Sequence, residues 1–223
     1  MANKNKPKNF WNFARSDTGE RELHIDGPIA SEMWFGDEIT PQAFRDELFA
    51  DSGDITVWIR SDGGNVIAAA EIYEFLNQYS GNVTAKIYGM CASAASVIAM
   101  AADEVLMSAT SYMLVHNPWT IAIGDADMLR KTAAELDEIK KGIAHAYEIK
   151  TGMSSVQISH LMNADSPMCA KTAIDFGFAD GLLEDRKKRK CCNSAAPIQN
   201  AVADEITIKS QLERLKIIGG IYS

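Results

Sequence analysis

The sequence predicts an α/β fold with mainly parallel strands, and two patterns support that class. Short runs rich in β-branched and aromatic residues alternate with segments of helical periodicity along most of the chain. The stretches between successive strands have the length of right-handed crossover connections, which parallel strands require. No internal repeat occurs.

The individual elements follow from periodicity and turn residues. We expect ordered structure to begin near Leu23, with a short strand that Gly27 and Pro28 close. The next elements are predicted as a helix at 40–49 with a cap-like Thr40, a strand at 55–60, a helix at 66–79, a strand at 83–89, a buried helix of small residues from about Ser93, and strands at 104–108 and 112–116. The longest helical pattern spans 126–150 and has one apolar and one charged side. Two short helices at 154–162 and 169–176 and a strand at 178–183 complete the series.

Charge divides the chain into three parts. Residues 1–16 hold four basic residues and no acidic one, residues 17–185 hold ten basic and 27 acidic residues, and residues 186–223 hold eight basic and three acidic residues. Net charges of +4, −17 and +5 thus make up the total of −8. We expect a basic flexible arm at 1–22, a globular domain at 23–185, and a basic linker and tail at 186–223. Within the tail, 205–218 has the pattern of a small amphipathic helix.

Composition excludes several classes of protein. With 47% hydrophobic and 23% charged residues, the chain is typical of globular rather than disordered or fibrous proteins. No apolar run reaches the ~18 residues of a membrane span, and the N-terminus lacks the apolar stretch of a secretory signal. The cysteines form no C-x-x-C pair, which argues against a zinc site and a disulfide framework; they are Cys91, Cys169, Cys191 and Cys192. We expect a cytoplasmic protein without a metal, a cofactor or a membrane partner.

Two segments have the pattern of a site that binds negative charge. Residues 89–96 predict a strand that ends at Gly89, a tight turn, and Ser93 at the start of a helix, where its hydroxyl is exposed beside backbone N–H groups. Alone, this pattern favours a serine that caps a close-packed helix. Gly63 and Gly64 let backbone N–H groups approach a ligand, as an oxyanion hole or phosphate cradle requires, although a simple tight turn is the more common use. The glycine spacing is not that of a phosphate loop or a dinucleotide site.

Two further residues have side chains suited to acid–base chemistry. His116 closes an apolar strand, where an imidazole can meet a neighbouring strand-to-helix turn and act as a general base. His24, His145 and His160 are the other histidines, and a lone histidine is more often structural. Asp165 lies in a turn between two helical segments; its carboxylate either orients an imidazole or caps the next helix, and spacing alone favours the cap.

In chain order, these segments resemble the Clp protease proteolytic subunit (ClpP) family of serine peptidases from about residue 23 to residue 183. WIRSDGGNVIAAAEIYEFL is similar to that family's strand, glycine turn and helix, and GMCASAASVIAMAADE is similar to its nucleophile segment. YMLVHNP resembles its histidine strand, and MNADSPMCAKTAIDFGFADGLL its aspartate turn and closing strand. The order Ser, His, Asp is also the family's.

The resemblance implies a fold and a mechanism. The fold would be the ClpP/crotonase-like arrangement of stacked β-α-β units, with 126–150 as a protruding handle helix. Ser93 would be the nucleophile, His116 the general base and acid, and Asp165 the group that orients His116. The backbone N–H groups of Gly64 and Ala94 would form the oxyanion hole. Peptide bonds would be hydrolysed through an acyl-enzyme inside a ring-shaped homo-oligomer, typically of one or two rings of seven subunits.

A finer resemblance is to the phage and prophage branch of this family, through ASAASVIAMAADE and ELHIDGPIASEMWFGDEIT. That branch implies capsid or scaffold proteins as substrates, in the cytoplasm of a bacterial host or within a phage procapsid. The basic arm and tail depart from the family pattern, so docking of an ATPase unfoldase is left open. We expect the two basic ends to contact acidic protein surfaces rather than nucleic acid.

Three alternatives accompany this interpretation. A crotonase-type acyl-CoA enzyme would explain Gly63 and Gly64 but leaves Ser93, His116 and Asp165 without a joint role. A signal-peptide peptidase would need a Ser–Lys pair and a membrane anchor. A catalytically silent assembly or scaffold protein would keep the fold without the chemistry.

Overall fold

The computed structural model describes residues 10–30 and 41–183 of the 223-residue chain. In this part of the chain the strands are β1 (Trp11–Arg15), β2 (Arg21–Asp26), β3 (Ile55–Ser61), β4 (Val83–Ala92), β5 (Glu104–Met107), β6 (Tyr112–Leu114), β7 (Met168–Cys169) and β8 (Gly181–Leu182). The helices are α1 (Pro41–Phe49), α2 (Val66–Asn77), α3 (Ala94–Ala99), α4 (Ala126–Thr151), α5 (Ser155–Ala164) and α6 (Ala170–Asp175). The two-residue strand β7 was not predicted, because so short a strand has no period of its own.

The sheet is mainly parallel. Strands β2, β3, β4 and β5 are parallel neighbours in that order, and β8 extends the sheet parallel to β5. Helix α2 connects β3 to β4, and α3 connects β4 to β5, as the βαβ pattern requires. The predicted α/β class is therefore confirmed.

Strand β4 positions the candidate site, because it changes partner along its length. Its first part pairs with β5, and its last three residues, Met90–Ala92, pair with Tyr112–Leu114 of β6. The register with β3 shifts between Ile59 and Ser61, an irregularity that bends a strand. The prediction that the strand ends at Gly89 in a tight turn is wrong, since β4 runs to Ala92. Gly89 instead permits close packing: a Cβ there would lie 3.0 Å from Cγ of Arg60.

The N-terminal region also differs from the prediction of a flexible arm over 1–22. Residues 11–15 form β1, which pairs antiparallel with β2 at the sheet edge. Phe10 and Trp11 are buried, and the Trp11 indole N–H donates to Glu47 at 3.1 Å. Burial of these aromatic rings against Phe44 of α1 explains why this segment is ordered. The prediction of flexibility gave too much weight to its basic residues. Residues 1–9 lie outside the described part.

Helix α4 has two different halves. Ile143, Ala144, Ala146 and Tyr147 near its C-terminal end are buried in the core. None of residues 126–142 is buried, so the first part of the helix protrudes from the domain as the predicted handle. Helix α3, by contrast, is buried throughout, because its alanine and serine side chains allow close packing.

No helix in the described ranges is long and apolar enough to cross a membrane. The predicted basic linker, tail and amphipathic helix at 186–223 lie outside the described residues.

Candidate active site

Ser93 occupies the sharp turn between β4 and α3. Its backbone has φ 55° and ψ −126°, and its N–H donates to the Leu114 carbonyl of β6 at 2.9 Å. This backbone conformation costs a non-glycine residue about 1–3 kcal/mol, and it persists only where the surrounding structure enforces it. The β4–β6 pairing and the buried helix α3 supply that constraint.

His116 lies two residues beyond β6 and reaches the Ser93 side chain. Its Nε2 is 2.7 Å from Ser93 Oγ, a direct hydrogen-bond distance, and the imidazole is mostly buried. Nε2 can accept the serine proton only when the ring proton is on Nδ1. Nδ1 faces Oδ1 of Asp165 at 3.4 Å, and a carboxylate on that side favours this tautomer.

Asp165 ends helix α5 in the left-handed conformation, with φ 45° and ψ 44°. The short antiparallel pairing of β7 with β6 brings this turn to His116. The Asp165 side chain is 65% exposed, so its carboxylate is far more hydrated than the imidazole. It does not cap the next helix, whose N-cap residue is Cys169.

A polar cluster beside this turn links it to the histidine segment. Asn163 Oδ1 accepts hydrogen bonds from Asn117 Nδ2 at 2.9 Å and from Lys140 Nζ of α4 at 3.3 Å. Oδ1 of Asn117 is buried and has no hydrogen-bond partner within the described residues. The residue next to His116 is thus tied directly to the helix that carries Asp165.

Gly63 lies against Ser93, and Gly64 lies against Ile29. Ile29 N–H donates to the Gly63 carbonyl and Asn65 N–H donates to the Ile29 carbonyl, both at 2.8 Å, so the Gly64 N–H faces away from Ile29. A Cβ at Gly63 would lie 2.6 Å from Ser93 Cβ, and one at Gly64 would lie 2.1 Å from the Ile29 carbonyl oxygen. Within the described residues, neither the Gly64 nor the Ala94 N–H donates to a backbone carbonyl. Both residues line the same cavity as Ser93, so two backbone donors without a backbone acceptor belong to this cavity.

These groups line one cavity of about 410 Å³. Its polar side holds Ser93, His116, the exposed Asp62 and the two glycines. Its apolar walls are formed by Val66, Val97, Pro118, Trp119, Ile143 and Tyr147. A nucleophile, a base and two free backbone donors around an apolar cavity are the parts that acyl transfer needs.

The other histidines lie elsewhere. His24 stacks on Trp58 on the outer face of the sheet, His145 faces Glu148 on α4, and His160 is exposed on α5. None of their described contacts is with a serine hydroxyl. The described residues contain no group of three or more histidine, cysteine or acidic side chains arranged to hold a metal ion.

Sequence reasoning missed several polar residues of the site, namely Ser96, Asn117, Lys140, Tyr147 and Asn163. Tyr147 falls on the apolar side of the helical pattern at 126–150, and periodicity gives no sign that its hydroxyl has a partner 51 positions away. Ser96 follows Ser93 by three residues, a spacing that offered a signal, since such a hydroxyl often bonds the carbonyl of the preceding turn.

Comparison with known proteins matches this region of the chain to one family. A family model described as Clp protease matches residues 14–186. The chain is 29% identical over 173 residues to the ATP-dependent Clp protease proteolytic subunit of Ligilactobacillus salivarius (strain UCC118). That alignment covers 77% of this chain and 87% of the relative.

Proposed function

Since this chain belongs to the Clp protease family, a family of serine endopeptidases, we propose that it cleaves peptide bonds with a triad of Ser93, His116 and Asp165. The observation that carries the proposal is the 2.7 Å contact between Ser93 Oγ and His116 Nε2, beside two free backbone donors in one cavity. Asp165 extends the row of groups at 3.4 Å from His116 Nδ1.

In the first half of the reaction, Ser93 Oγ attacks the carbonyl carbon of the scissile bond while His116 Nε2 takes its proton. The negative charge that develops on the carbonyl oxygen is stabilised by the N–H groups of Gly64 and Ala94. His116 then gives the proton to the leaving amine, and an ester between Ser93 and the acyl part of the substrate remains.

In the second half, a water molecule loses its proton to His116 and attacks the ester. Collapse of the second tetrahedral intermediate returns the proton to Ser93 Oγ and releases the carboxylate product. Asp165 holds the imidazole in the tautomer that each step requires and stabilises the imidazolium.

The substrate is an extended polypeptide that lies beside the segments after Gly64 and after His116. Residues 115–125 have no regular secondary structure, so their backbone groups are not committed to the sheet. An extended chain can pair with such a segment through main-chain hydrogen bonds. The apolar walls of the cavity then receive a side chain of the substrate.

Assembly into a ring-shaped homo-oligomer is part of the proposal, because family members act on protein substrates within such rings. Large apolar side chains on and before the handle are exposed, namely Trp119, Ile121, Ile123, Met128 and Leu129. Burial of these side chains between copies accounts for their presence on a protruding element. A mass near the 24.4 kDa of one chain, measured by light scattering at micromolar concentration, would reject the ring.

The biological setting we propose is the processing of capsid or scaffold proteins of a phage or prophage, in the cytoplasm of the bacterial host. Portal and major-capsid genes next to the gene for this chain would support this setting, whereas a neighbouring unfoldase gene would overturn it in favour of an ATPase-fed housekeeping role. The relative from Ligilactobacillus salivarius is named as ATP-dependent, so a neighbouring unfoldase gene would also identify an ATPase partner for this chain.

The test of the activity is hydrolysis of an unfolded protein and of fluorogenic peptides by the full chain. Wild type should cleave, and Ser93→Ala should lose cleavage while keeping its oligomeric state. Ser155→Ala, which removes an exposed hydroxyl at the start of α5, is the matched control and should cleave like wild type. Equal cleavage by wild type and Ser93→Ala would contradict the proposal.

A further inference from the structure

We propose that Ser96 and Tyr147 position the oxyanion-hole N–H of Ala94 by holding the other end of the same peptide unit, an inference that rests on the proposed protease function. Ser96 Oγ lies 2.6 Å from the carbonyl oxygen of Ser93. The Tyr147 hydroxyl of α4 lies 2.8 Å from the same Ser96 Oγ. Three groups from two helices thus form a continuous chain that ends at the peptide bond between Ser93 and Ala94.

The direction of each hydrogen bond in this chain is determined by its last member. A carbonyl oxygen only accepts, so the single proton of Ser96 Oγ goes to Ser93. Tyr147 must therefore donate to Ser96. Both side chains are buried, and burial raises the pKa of the Tyr147 hydroxyl well above its ordinary value. The hydroxyl stays protonated and remains a donor.

The geometry of a peptide carries this contact into the cavity. The described residues contain no cis peptide bond, so the Ser93 carbonyl and the Ala94 N–H point in opposite directions on one rigid plane. Holding the carbonyl toward the buried side therefore aims the N–H at the cavity. Hydrogen bonds accepted by the carbonyl also polarise the amide and make its N–H a stronger donor.

The strained turn explains why extra support is needed. Ser93 has φ 55°, and a peptide in such a turn rotates toward an ordinary conformation unless it is held. Ser96 N–H also donates to the Ser93 carbonyl at 2.9 Å, but as part of the short helix itself. Tyr147 adds an anchor from outside that helix, and its ring packs edge-on against Phe178 with centroids 5.6 Å apart.

The test uses Tyr147→Phe, which keeps the ring, and Ser96→Ala, both in the full chain. For each variant, we expect the rate of acylation by a fluorophosphonate and kcat for peptides to fall about tenfold, with KM unchanged, because only the charged transition state loses support. The affinity for a peptide aldehyde, whose adduct places an oxygen anion in the hole, should fall by the same factor. The double variant should lose little more than Ser96→Ala, since both residues act through one carbonyl.

Two control variants separate positioning from simple loss of a buried hydroxyl. Ser111→Ala removes a buried hydroxyl that likewise donates to a carbonyl three residues earlier, that of Ser108 at 2.7 Å. Tyr73→Phe makes the same change as Tyr147→Phe on helix α2, away from the cavity. Neither control should change kcat or aldehyde affinity.

The outcomes are distinct. If Tyr147→Phe has the same aldehyde affinity and kcat as wild type, or if only its KM changes, the positioning role is overturned while the protease proposal stands. Absence of fluorophosphonate acylation and cleavage in wild type overturns the protease proposal and this inference with it. If Ser96→Ala does not fold, Tyr147→Phe decides the matter alone.

Discussion

The Ser93 turn and the Asp165 turn share an unusual backbone but differ in how they are held. In the described part of the chain, Ser93 and Asp165 are the only non-glycine residues with positive φ, at 55° and 45°. Both turns follow a regular element and carry a polar side chain toward His116. Backbone strain at two positions that face one imidazole is typical of a functional site rather than of the core.

The surroundings of the two turns are opposite. Ser93 lies between a sheet strand and a fully buried helix, and its backbone is bonded to Leu114 and Ser96. Asp165 is largely exposed and lies 3.4 Å from its partner, against 2.7 Å between Ser93 and His116. The nucleophile is thus positioned rigidly by the core, whereas the orienting carboxylate acts from a hydrated surface turn.

The largest effect expected at the rigid turn follows from removal of its base. His116→Ala should lower kcat by about 10⁵–10⁶-fold, because Ser93 then has no group to accept its proton. His160→Ala, which removes an exposed imidazole on α5, serves as the control and should keep full activity. Steady-state peptide hydrolysis measures both. Activity within tenfold of wild type in His116→Ala would mean that another base serves Ser93.

A smaller effect is expected at the exposed turn. Asp165→Asn should lower kcat by about 10²–10³-fold, less than the ~10⁴-fold loss for a buried triad aspartate. The reason is that Asp165 is exposed, so water can partly replace the carboxylate as the group that orients the imidazole. Asp175→Asn removes an exposed carboxylate on α6 and should be neutral. A loss of kcat as large as that in His116→Ala would contradict a lesser role for the hydrated turn.

Two cysteines report on the same contrast. Burial raises the pKa of the Cys91 thiol, two residues before Ser93, whereas a hydrogen bond with the Thr172 side chain lowers the pKa of exposed Cys169, four residues after Asp165. The thiolate is the reactive form, so at neutral pH Cys169 should react with iodoacetamide about 100-fold faster or more. Peptide mapping by mass spectrometry reads each cysteine separately. Comparable rates at the two sites would show that the β4 end opens to solvent.

The smallest effect concerns the strain itself. Glycine tolerates positive φ and alanine does not, so Ser93→Gly should be more stable than Ser93→Ala by about 1 kcal/mol. The corresponding difference between Asp165→Gly and Asp165→Ala should be smaller, since an exposed turn relaxes more easily. Urea unfolding at one subunit concentration measures all four variants. A larger stability difference between the Gly and Ala variants at position 165 than at position 93 would mean that the Asp165 turn is the more rigid of the two.

The sequence predicted the fold where pattern and burial agree. Strand β3 and helix α2 were correct because alternation and helical periodicity report directly on which residues face the core. The continuation of β4 past Gly89 and the order of β1 were not predicted, since they depend on pairing with β6 and on packing against Phe44, both distant in sequence. Ser93, His116 and Asp165 were chosen from ordered motifs and do lie in a row. The residues that support them, such as Tyr147 and Asn163, were missed because a single polar group within a helix does not change the hydrophobic periodicity of the sequence.

Identification of the labelled residue tests most directly whether Ser93 is acylated with His116 as its base. The full chain is treated with a fluorophosphonate, and the adduct is located by mass spectrometry of its peptides. One adduct on Ser93, absent in Ser93→Ala and strongly slowed in His116→Ala, is the predicted result. An adduct on another serine, or peptide cleavage that continues without any adduct on Ser93, would contradict it.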